Sequence, residues 1–305
     1  MQPGGGGSGL SFGAPGLEER CRLCGGPSVG AGGVHGRFAR RRFSLRACDE
    51  CGYAFVADPL SDLSSVYDAA YYHGRGADPL VNYAEEVANP RSIRRFEWRG
   101  IHAWARSLGP VDGTTRWLDF GCGAGGLVGY LRGEGVDALG FEPGVGAATF
   151  RAAAPERFLS PEQLEQAAGR FDIVSAIEVL EHVADPLAEL AALRRCLRPG
   201  GLLLLTTGNL APYRDRIERW RYVMPEVHIS FYEPRALAAA LDRVGFTPAF
   251  AGFAPGWEDI YRFKVLKQLH RRSSVPADEV VPWGALARRL DARLRLSAQP
   301  IGWAR

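Results

Sequence analysis

Lysine is almost missing from this chain: of 37 basic side chains in 305 residues only two are lysines, Lys264 and Lys267. That skew, alongside abundant Arg and Ala, reads as coding bias rather than function. A strong charge of either sign is also missing. The net charge of +3 is too small to argue for nucleic acid by itself. No window approaches the roughly 18 apolar residues of a membrane-spanning helix, which excludes a helical membrane span. The opening stretch Met1 to Gly9 has no apolar core of the kind a signal peptide carries. A cytoplasmic, reducing setting is therefore expected, in which six cysteines read as ligands and free thiols before disulfides. What is present is ordinary for a globular chain, with 46% hydrophobic and 23% charged residues. The length suits one substantial α/β domain plus a small module. Residues 1–17, rich in Gly and Pro, are expected to be disordered.

Cys21-Arg22-Leu23-Cys24-Gly25 and Cys48-Asp49-Glu50-Cys51-Gly52 are two matching knuckles, with 23 residues between Cys24 and Cys48. Four thiolates at this spacing can reach one Zn²⁺ tetrahedrally, and the Gly after each second Cys suits the turn that aims backbone N–H groups at sulfur. A redox pair usually needs only one such motif beside a βαβ unit. A structural zinc on Cys21, Cys24, Cys48 and Cys51 is therefore expected, in a ribbon over residues 18–58. Phe38, Phe43 and Leu45 alternate with Arg37, Arg42, Ser44 and Arg46, which predicts a small antiparallel hairpin. The arginines Arg37, Arg40, Arg41, Arg42 and Arg46 form either a solvated strand face or a grip for phosphate. Residues 59–112 read as a helical connector or lid, with helical spacing of Val87, Ile93, Phe96, Trp98 and Trp104 between about Tyr83 and Leu108.

Beyond residue 113 strands alternate with helices. Trp117-Leu118-Asp119-Phe120 ends a short apolar strand, Gly121-Cys122-Gly123-Ala124-Gly125-Gly126 makes a tight turn, and Leu127 restarts at helical spacing. This places backbone N–H groups and a helix N-terminus before a ligand. Val136 to Phe141 is a second strand. It ends in Glu142, 21 residues after Gly121, near the spacing at which an acid meets ribose hydroxyls in a nucleotide-binding βαβ unit. A short third strand is expected at Glu156–Ser160, a fourth at Phe171–Ile177, and a fully buried one at Leu202–Leu205 after the Pro199-Gly200-Gly201 helix stop. The pattern predicts a Rossmann-like, mostly parallel sheet.

Taken together, Leu118 to Gly125, Phe141-Glu142-Pro143, Phe171-Asp172-Ile173-Val174 leading to Val179-Leu180-Glu181-His182-Val183, and Leu197-Arg198-Pro199-Gly200-Gly201 resemble the class I S-adenosylmethionine-dependent methyltransferases. The resemblance covers residues 113–253. It implies a seven-stranded sheet, with S-adenosyl-L-methionine passing closely over Gly121, Gly123 and Gly125. Asp119 would hold the methionyl ammonium and Glu142 the ribose hydroxyls. Pro143 would flank adenine, Ser160 would offer its amine a polar contact, and Ile177 and Glu178 would line the methyl-transfer pocket. Gly121, Gly123 and Gly126 also satisfy the dinucleotide pattern G-x-G-x-x-G. Asp119 separates the two readings, because a carboxylate before the glycines suits an ammonium and would repel a pyrophosphate. Cys-x-x-Cys pairs ahead of such a domain also resemble bacterial sugar C-methyltransferases and a large-subunit ribosomal RNA guanine methyltransferase. Residues 254–305 depart from the sugar enzymes, being shorter, basic and mostly helical over Tyr261–Leu269 and Ala285–Leu296. Ser297–Ala304 is the candidate for the antiparallel seventh strand.

Methyl transfer from a sulfonium is an in-line displacement in which positioning and desolvation do most of the work. A hydroxyl or carbon acid still needs a base. His228 is the expected base, with Glu226 and Tyr232 as flanks able to tune it, or else it orders its loop. Tyr72, with Tyr71 and His73, is expected to close over the cofactor. Cys122 is expected to pack within the turn. The favoured reading is a methyltransferase for a small molecule or glycan, with O- or C-methylation of a sugar or secondary metabolite, since no Asn/Asp-Pro-Pro-aromatic motif for planar amines follows the fourth strand. Two alternatives are an RNA methyltransferase docking through the ribbon and its arginines, and a non-catalytic zinc-binding adaptor.

Overall fold

The computed structural model describes residues 20–64, 66–76, 82–250, 253–294 and 301–304. The expected disorder of residues 1–17 lies outside them. In chain order the elements are β1 (Val29–His35), β2 (Arg42–Ala47), β3 (Tyr53–Val56), α1 (Ala69–Tyr72), α2 (Tyr83–Ala88), α3 (Arg94–Leu108), β4 (Arg116–Phe120), α4 (Gly126–Gly133), β5 (Asp137–Phe141), α5 (Ala148–Ala153) and α6 (Pro161–Glu165). They continue with β6 (Phe171–Ile177), α7 (Pro186–Cys196), β7 (Leu197–Thr206), β8 (Ser230–Tyr232), α8 (Pro234–Arg243), β9 (Pro248–Phe250), α9 (Trp257–Gln268), α10 (Ala277–Val280), α11 (Trp283–Leu294) and β10 (Ile301–Ala304).

The main sheet runs β5-β4-β6-β7-β10-β9, six strands among the described residues. The first four are parallel, and β10 lies antiparallel between β7 and β9, with Gly302 opposite both Leu205 and Phe250. Trp117, Leu118, Val174 and Leu203 to Leu205 are all but inaccessible, as befits strands covered by helices on both faces. The class expected from sequence holds, with one correction. The third strand expected at Glu156–Ser160 is reduced to a single bridge between Gly140 and Phe158, because Pro155–Arg157 turns as a 3-10 helix and Ser160 already caps α6. The antiparallel strand forms over Ile301–Ala304; the rest of its expected range lies outside the described residues.

One face of the sheet is covered by α3, α4 and α9, through Trp98, Ile101, Trp104, Leu127, Val128, Leu131, Trp257 and Ile260. Helices α3 and α9 approach until a Cβ on Gly100 would lie 2.6 Å from the Gly256 carbonyl oxygen, so only glycine fits there. The other face carries α7 and α8. Asp185 starts α7 by accepting from the Ala188 N–H, with Pro186 next in line.

The N-terminal module is a four-stranded sheet, β1-β2-β3-β8. Phe43 and Leu45 alternate inward along β2 as expected, but Phe38 lies in the turn and is exposed. Strand β8 belongs to this sheet, not to the main one, and pairs antiparallel with β3. Cys21, Leu23, Tyr53 and Phe55 share one core with Leu203, Leu205, Leu237 and Leu241. The ribbon is thus packed into the α/β body.

Candidate active site

The glycine turn follows β4. Gly121, Gly123 and Gly125 have φ of +72°, +57° and +75°, the left-handed region that residues with a Cβ resist. Just before them, Asp119 is buried and accepts from Ser175 Oγ at 2.7 Å, while Trp117 Nε1 donates to that same Oγ at 2.9 Å. Burial pushes the Asp119 carboxyl up to about 7, and its charged neighbours Glu142 and Glu97 act in the same direction. A buried acid among acids is a socket for a cation.

Glu142, at the tip of β5, accepts from Gly123 N at 2.9 Å, Gly144 N at 2.9 Å and Tyr72 Oη at 3.0 Å. Burial raises its carboxyl, and these three donors oppose the rise. Tyr72, the side chain expected to close over the cofactor, therefore reaches the carboxylate expected to hold ribose. Tyr83 covers the turn, 3.0 Å from where a Gly123 Cβ would be, and its ring lies 5.6 Å from that of Tyr72. Helices α1 and α2 thus close over the loop through tyrosines.

The far side of the site is built at the ends of β6 and β7. Glu178 holds a left-handed φ of +54°, a strained backbone for a non-glycine residue. It is pinned by its N–H to Thr206 O at 2.9 Å and by Thr206 Oγ1 to its carboxylate at 3.0 Å. Lys264 Nζ lies 3.4 Å from the same carboxylate, and both side chains are about one-third exposed (34% and 31%), so they face a crevice. Tyr222 Oη accepts from Gly208 N at 3.0 Å and contacts Glu178 at 3.0 Å and Glu181 at 2.5 Å. A phenol carries one proton. It can donate to Glu178 only if Glu181 is protonated and donates back. The charges agree: although burial opposes its ionisation, Lys264 holds Glu178 down, whereas burial and then Glu178 push Glu181 up.

Beside Glu181 stand His182 and His228. Their ligand atoms and one Glu181 oxygen all lie within 4.8 Å of one another. His228 Nδ1 donates to Tyr222 O at 2.6 Å, leaving Nε2 as a lone pair, and His182 Nδ1 lies 2.9 Å from Val227 O and 2.8 Å from Tyr67 Oη. Once Glu181 gives up its proton, its carboxylate and the two imidazoles form a donor set that a divalent cation accepts, so binding there would release that proton.

The cysteines also converge. Cys21 Sγ is 3.5 Å from Cys51 Sγ, Cys24 Sγ is 3.5 Å from Cys48 Sγ, and all four lie within 4.8 Å. Tetrahedral Zn–S bonds of about 2.3 Å require sulfurs about 3.8 Å apart, so the cluster fits a zinc ribbon. Cys21 N–H bonds Gly26 O, Gly52 N–H bonds Cys48 O, and Gly25 and Gly52 take φ of +76° and +81°.

The structure thus brings Asp119, Gly121, Gly123, Gly125, Glu142 and Tyr72 to one side, and Glu178 and His228 to the other. Ile177 ends β6 beside them, and Pro143 is exposed after Glu142. Ser160 Oγ caps α6, accepting from Gln163 N at 3.2 Å and donating to Glu162 at 2.7 Å. His228, expected as the general base, is buried, and burial and then His182 push its imidazole down to about 3, which works against that role. The expected tuning flanks point elsewhere, Glu226 to Phe38 N and Ala39 N and Tyr232 to Leu180 O. Cys122 packs within its turn against Gly140, with burial raising its thiol. Tyr222, Thr206 and Lys264 were missed. Of the ribbon arginines, Arg41 pairs with Asp58 at 2.6 Å and lies 3.7 Å over Phe43, and Arg46 bonds Ser28 Oγ at 2.9 Å. Two of the five arginines, for which a solvated strand face and a phosphate grip were the alternatives, are engaged within the fold.

Residues 77–249, more than half of the chain, match a family model described as a methyltransferase domain. The chain belongs to that family. The methyltransferase domain is 40% identical over 111 residues to a ubiquinone biosynthesis O-methyltransferase of Cereibacter sphaeroides, covering 34% of this chain and 44% of the relative. It is 31% identical over 159 residues to a protein of the same name from Dinoroseobacter shibae, covering 47% of this chain and 64% of that one. The match thus spans roughly half of each curated relative. A putative methyltransferase of Haloferax volcanii, solved in complex with a methyltransferase activator, superposes with a TM-score of 0.50 at 17% identity over 78% of this chain and 96% of that one, and shows the shared fold. Among the described residues no helix is long and apolar enough to cross a membrane.

Proposed function

We propose that this chain is an S-adenosyl-L-methionine-dependent methyltransferase that methylates a hydroxyl of a small molecule. The observation that carries the reading is the Glu181, His182 and His228 cluster, set beside the strained Glu178 at the end of β6. The relatives named as O-methyltransferases support the same acceptor atom.

Bound S-adenosylmethionine supplies an activated methyl group on a sulfonium. Asp119, which pairs with no cation among the described residues, would take the methionyl ammonium, and Glu142 the ribose hydroxyls. Tyr72, already on Glu142, would share that carboxylate with the ribose and hold it in place. Pro143 and Ile177 would flank the cofactor, and Glu178 would face the methyl group. A hydroxyl is a poor nucleophile until its proton is drawn off. A divalent cation held by Glu181, His182 and His228 would lower the pKa of a hydroxyl bound to it, and Tyr222 would keep Glu181 aimed at it. Zn²⁺ on Cys21, Cys24, Cys48 and Cys51 is structural in this reading.

The test is methyl transfer from labelled S-adenosylmethionine to 4-methylcatechol, a chelating diol. EDTA treatment should stop transfer and Mg²⁺ or Mn²⁺ should restore it, with ribbon zinc followed separately by metal analysis, since Mg²⁺ does not replace zinc on thiolates. Full activity after removal of all but the ribbon zinc would overturn the cation; cofactor binding without transfer to the diol would overturn the hydroxyl acceptor.

A further inference from the structure

The turn joining β1 to β2 packs Arg37, Phe38, Arg40, Arg41 and Arg42 into six residues. Phe38 is 50% exposed. Arg41 turns back into the module, onto Asp58 and the Phe43 ring. Arg37, Arg40 and Arg42 are exposed and make no ion pair among the described residues. The backbone of the turn faces the other way. Gly36 N–H donates to Arg41 O at 2.8 Å, and Phe38 N–H and Ala39 N–H donate to one oxygen of Glu226 at 2.9 and 3.2 Å. Glu226 is buried, and a Cβ on Gly36 would lie 2.1 Å from that oxygen, so glycine is what lets the carboxylate sit under the turn. Arg40 takes a left-handed φ of +50°, a backbone that persists only where its surroundings hold it. The tip is thus fixed in shape, has these N–H groups satisfied from within, and offers outward one ring and three unpaired guanidinium groups.

We propose that this tip is a docking surface for an anionic lipid bilayer. A ring at a loop tip enters the boundary between headgroups and acyl chains while flanking arginines meet lipid phosphates. Backbone N–H groups resist entering that boundary unless they are already paired, and here Glu226 pairs them. A loop that grips the phosphate of a nucleotide or nucleic acid turns such N–H groups outward; here they end on a buried carboxylate, which would repel the anion. Each arginine near a charged bilayer is worth about 5-fold in binding. One ring adds modestly, so the association is reversible, in the range of a single lipid chain and short of a stable anchor. The tip lies outside residues 77–249, which match the methyltransferase family, so the docking surface belongs to the ribbon module. Glu226 sits in the turn that Val227 N–H and His228 N–H close onto Met224 O at 2.9 and 2.7 Å. The surface that meets lipid is therefore fastened to the segment that carries His228.

The experiment is co-sedimentation of the full chain with sucrose-filled vesicles. Vesicles of phosphatidylcholine with about 30% phosphatidylglycerol should bind it roughly 100-fold more tightly than phosphatidylcholine alone at low salt, and the gap should shrink as salt rises. Arg37→Gln combined with Arg40→Gln should weaken binding to the anionic vesicles about 25-fold, and Phe38→Ala about 5-fold with the salt dependence kept. All three positions are exposed; unchanged melting temperature, zinc content and S-adenosylhomocysteine affinity would show that the variants are folded. Equal binding to both kinds of vesicle, or anionic binding that no variant weakens, would overturn the proposal. So would binding of a fluorescent oligouridylate that is lost in Phe38→Ala and that vesicles fail to displace, since the tip would then be an RNA contact. No step of this test uses methyl transfer, so its failure and that of the hydroxyl reading are separate results.

Discussion

Tyr53 Oη and Ser230 Oγ lie 2.7 Å apart, joining the cysteine ribbon to the strand that follows His228. Tyr53 is two residues past Cys51, and Ser230 two past His228. Ser230 Oγ also contacts Val183 O at 2.6 Å, and Ile229 N–H donates to Glu181 O at 2.7 Å. The ribbon therefore holds the backbone that presents Glu181, His182 and His228. Tyr53→Phe and Ser230→Ala should each cost about 1–3 kcal/mol in denaturant unfolding, from the unpaired buried partner. Both should slow methyl transfer about 10-fold while changing S-adenosylhomocysteine affinity less than 3-fold. An equal loss of cofactor affinity would mean the ribbon supports the whole domain without aiming this side.

Glu142→Gln removes the charge but keeps the shape. Glu142 accepts from three donors, and an amide nitrogen can no longer serve them all. Cofactor affinity by calorimetry should fall about 10- to 100-fold, and Tyr72→Phe should fall less, because it leaves both backbone donors in place.

Asp119 should make cofactor binding depend on pH. Its folded value of about 7 lies above the unfolded value near 3.9. The native state thus binds the extra proton between those values, and this group subtracts stability as pH rises from about 4 to 7. An arriving ammonium needs the ionised carboxylate, so S-adenosylhomocysteine affinity should rise between pH 6 and 8 with proton release, read by calorimetry in buffers of different ionisation enthalpy. Asp119→Asn should flatten that profile and weaken binding, without destabilising the free protein. A parallel pH profile in the variant would remove Asp119 from this role.

Cys48→Ser should empty the ribbon of zinc, since a site of three thiolates and a hydroxyl holds the metal far less well. The melting temperature should fall by roughly 2–4 °C for each kcal/mol lost. The effect should extend to the main core, because Cys48 packs in it with Leu203 and Leu237. A separate low-temperature transition with an unchanged main one would show the two parts unfold independently.

What could be read from the sequence was what backbone or metal geometry forces into local spacing. Gly121, Gly123 and Gly125 are needed for positive φ, Glu142 follows at a set distance, and the cysteine knuckles repeat. Tyr222, Thr206 and Lys264 left no such mark, since they come from three separate segments and meet only through packing at Glu178. Strand β8 spans three residues, too few for its alternation to say which sheet it joins. His228 was singled out by position alone; its burial, which lowers its basicity, is a tertiary property.

The place of β10 has a consequence for synthesis. Ile301–Ala304 fills the gap between β7 and β9, although about fifty residues separate it from β9 in the chain. At 5–20 residues per second, β7 waits roughly 5–20 s and β9 roughly 3–10 s for the strand that joins them to be made. Until then the edge at Leu203–Thr206 is an open template for pairing with another chain, so this protein is most exposed to misassembly in the seconds before residue 304 emerges.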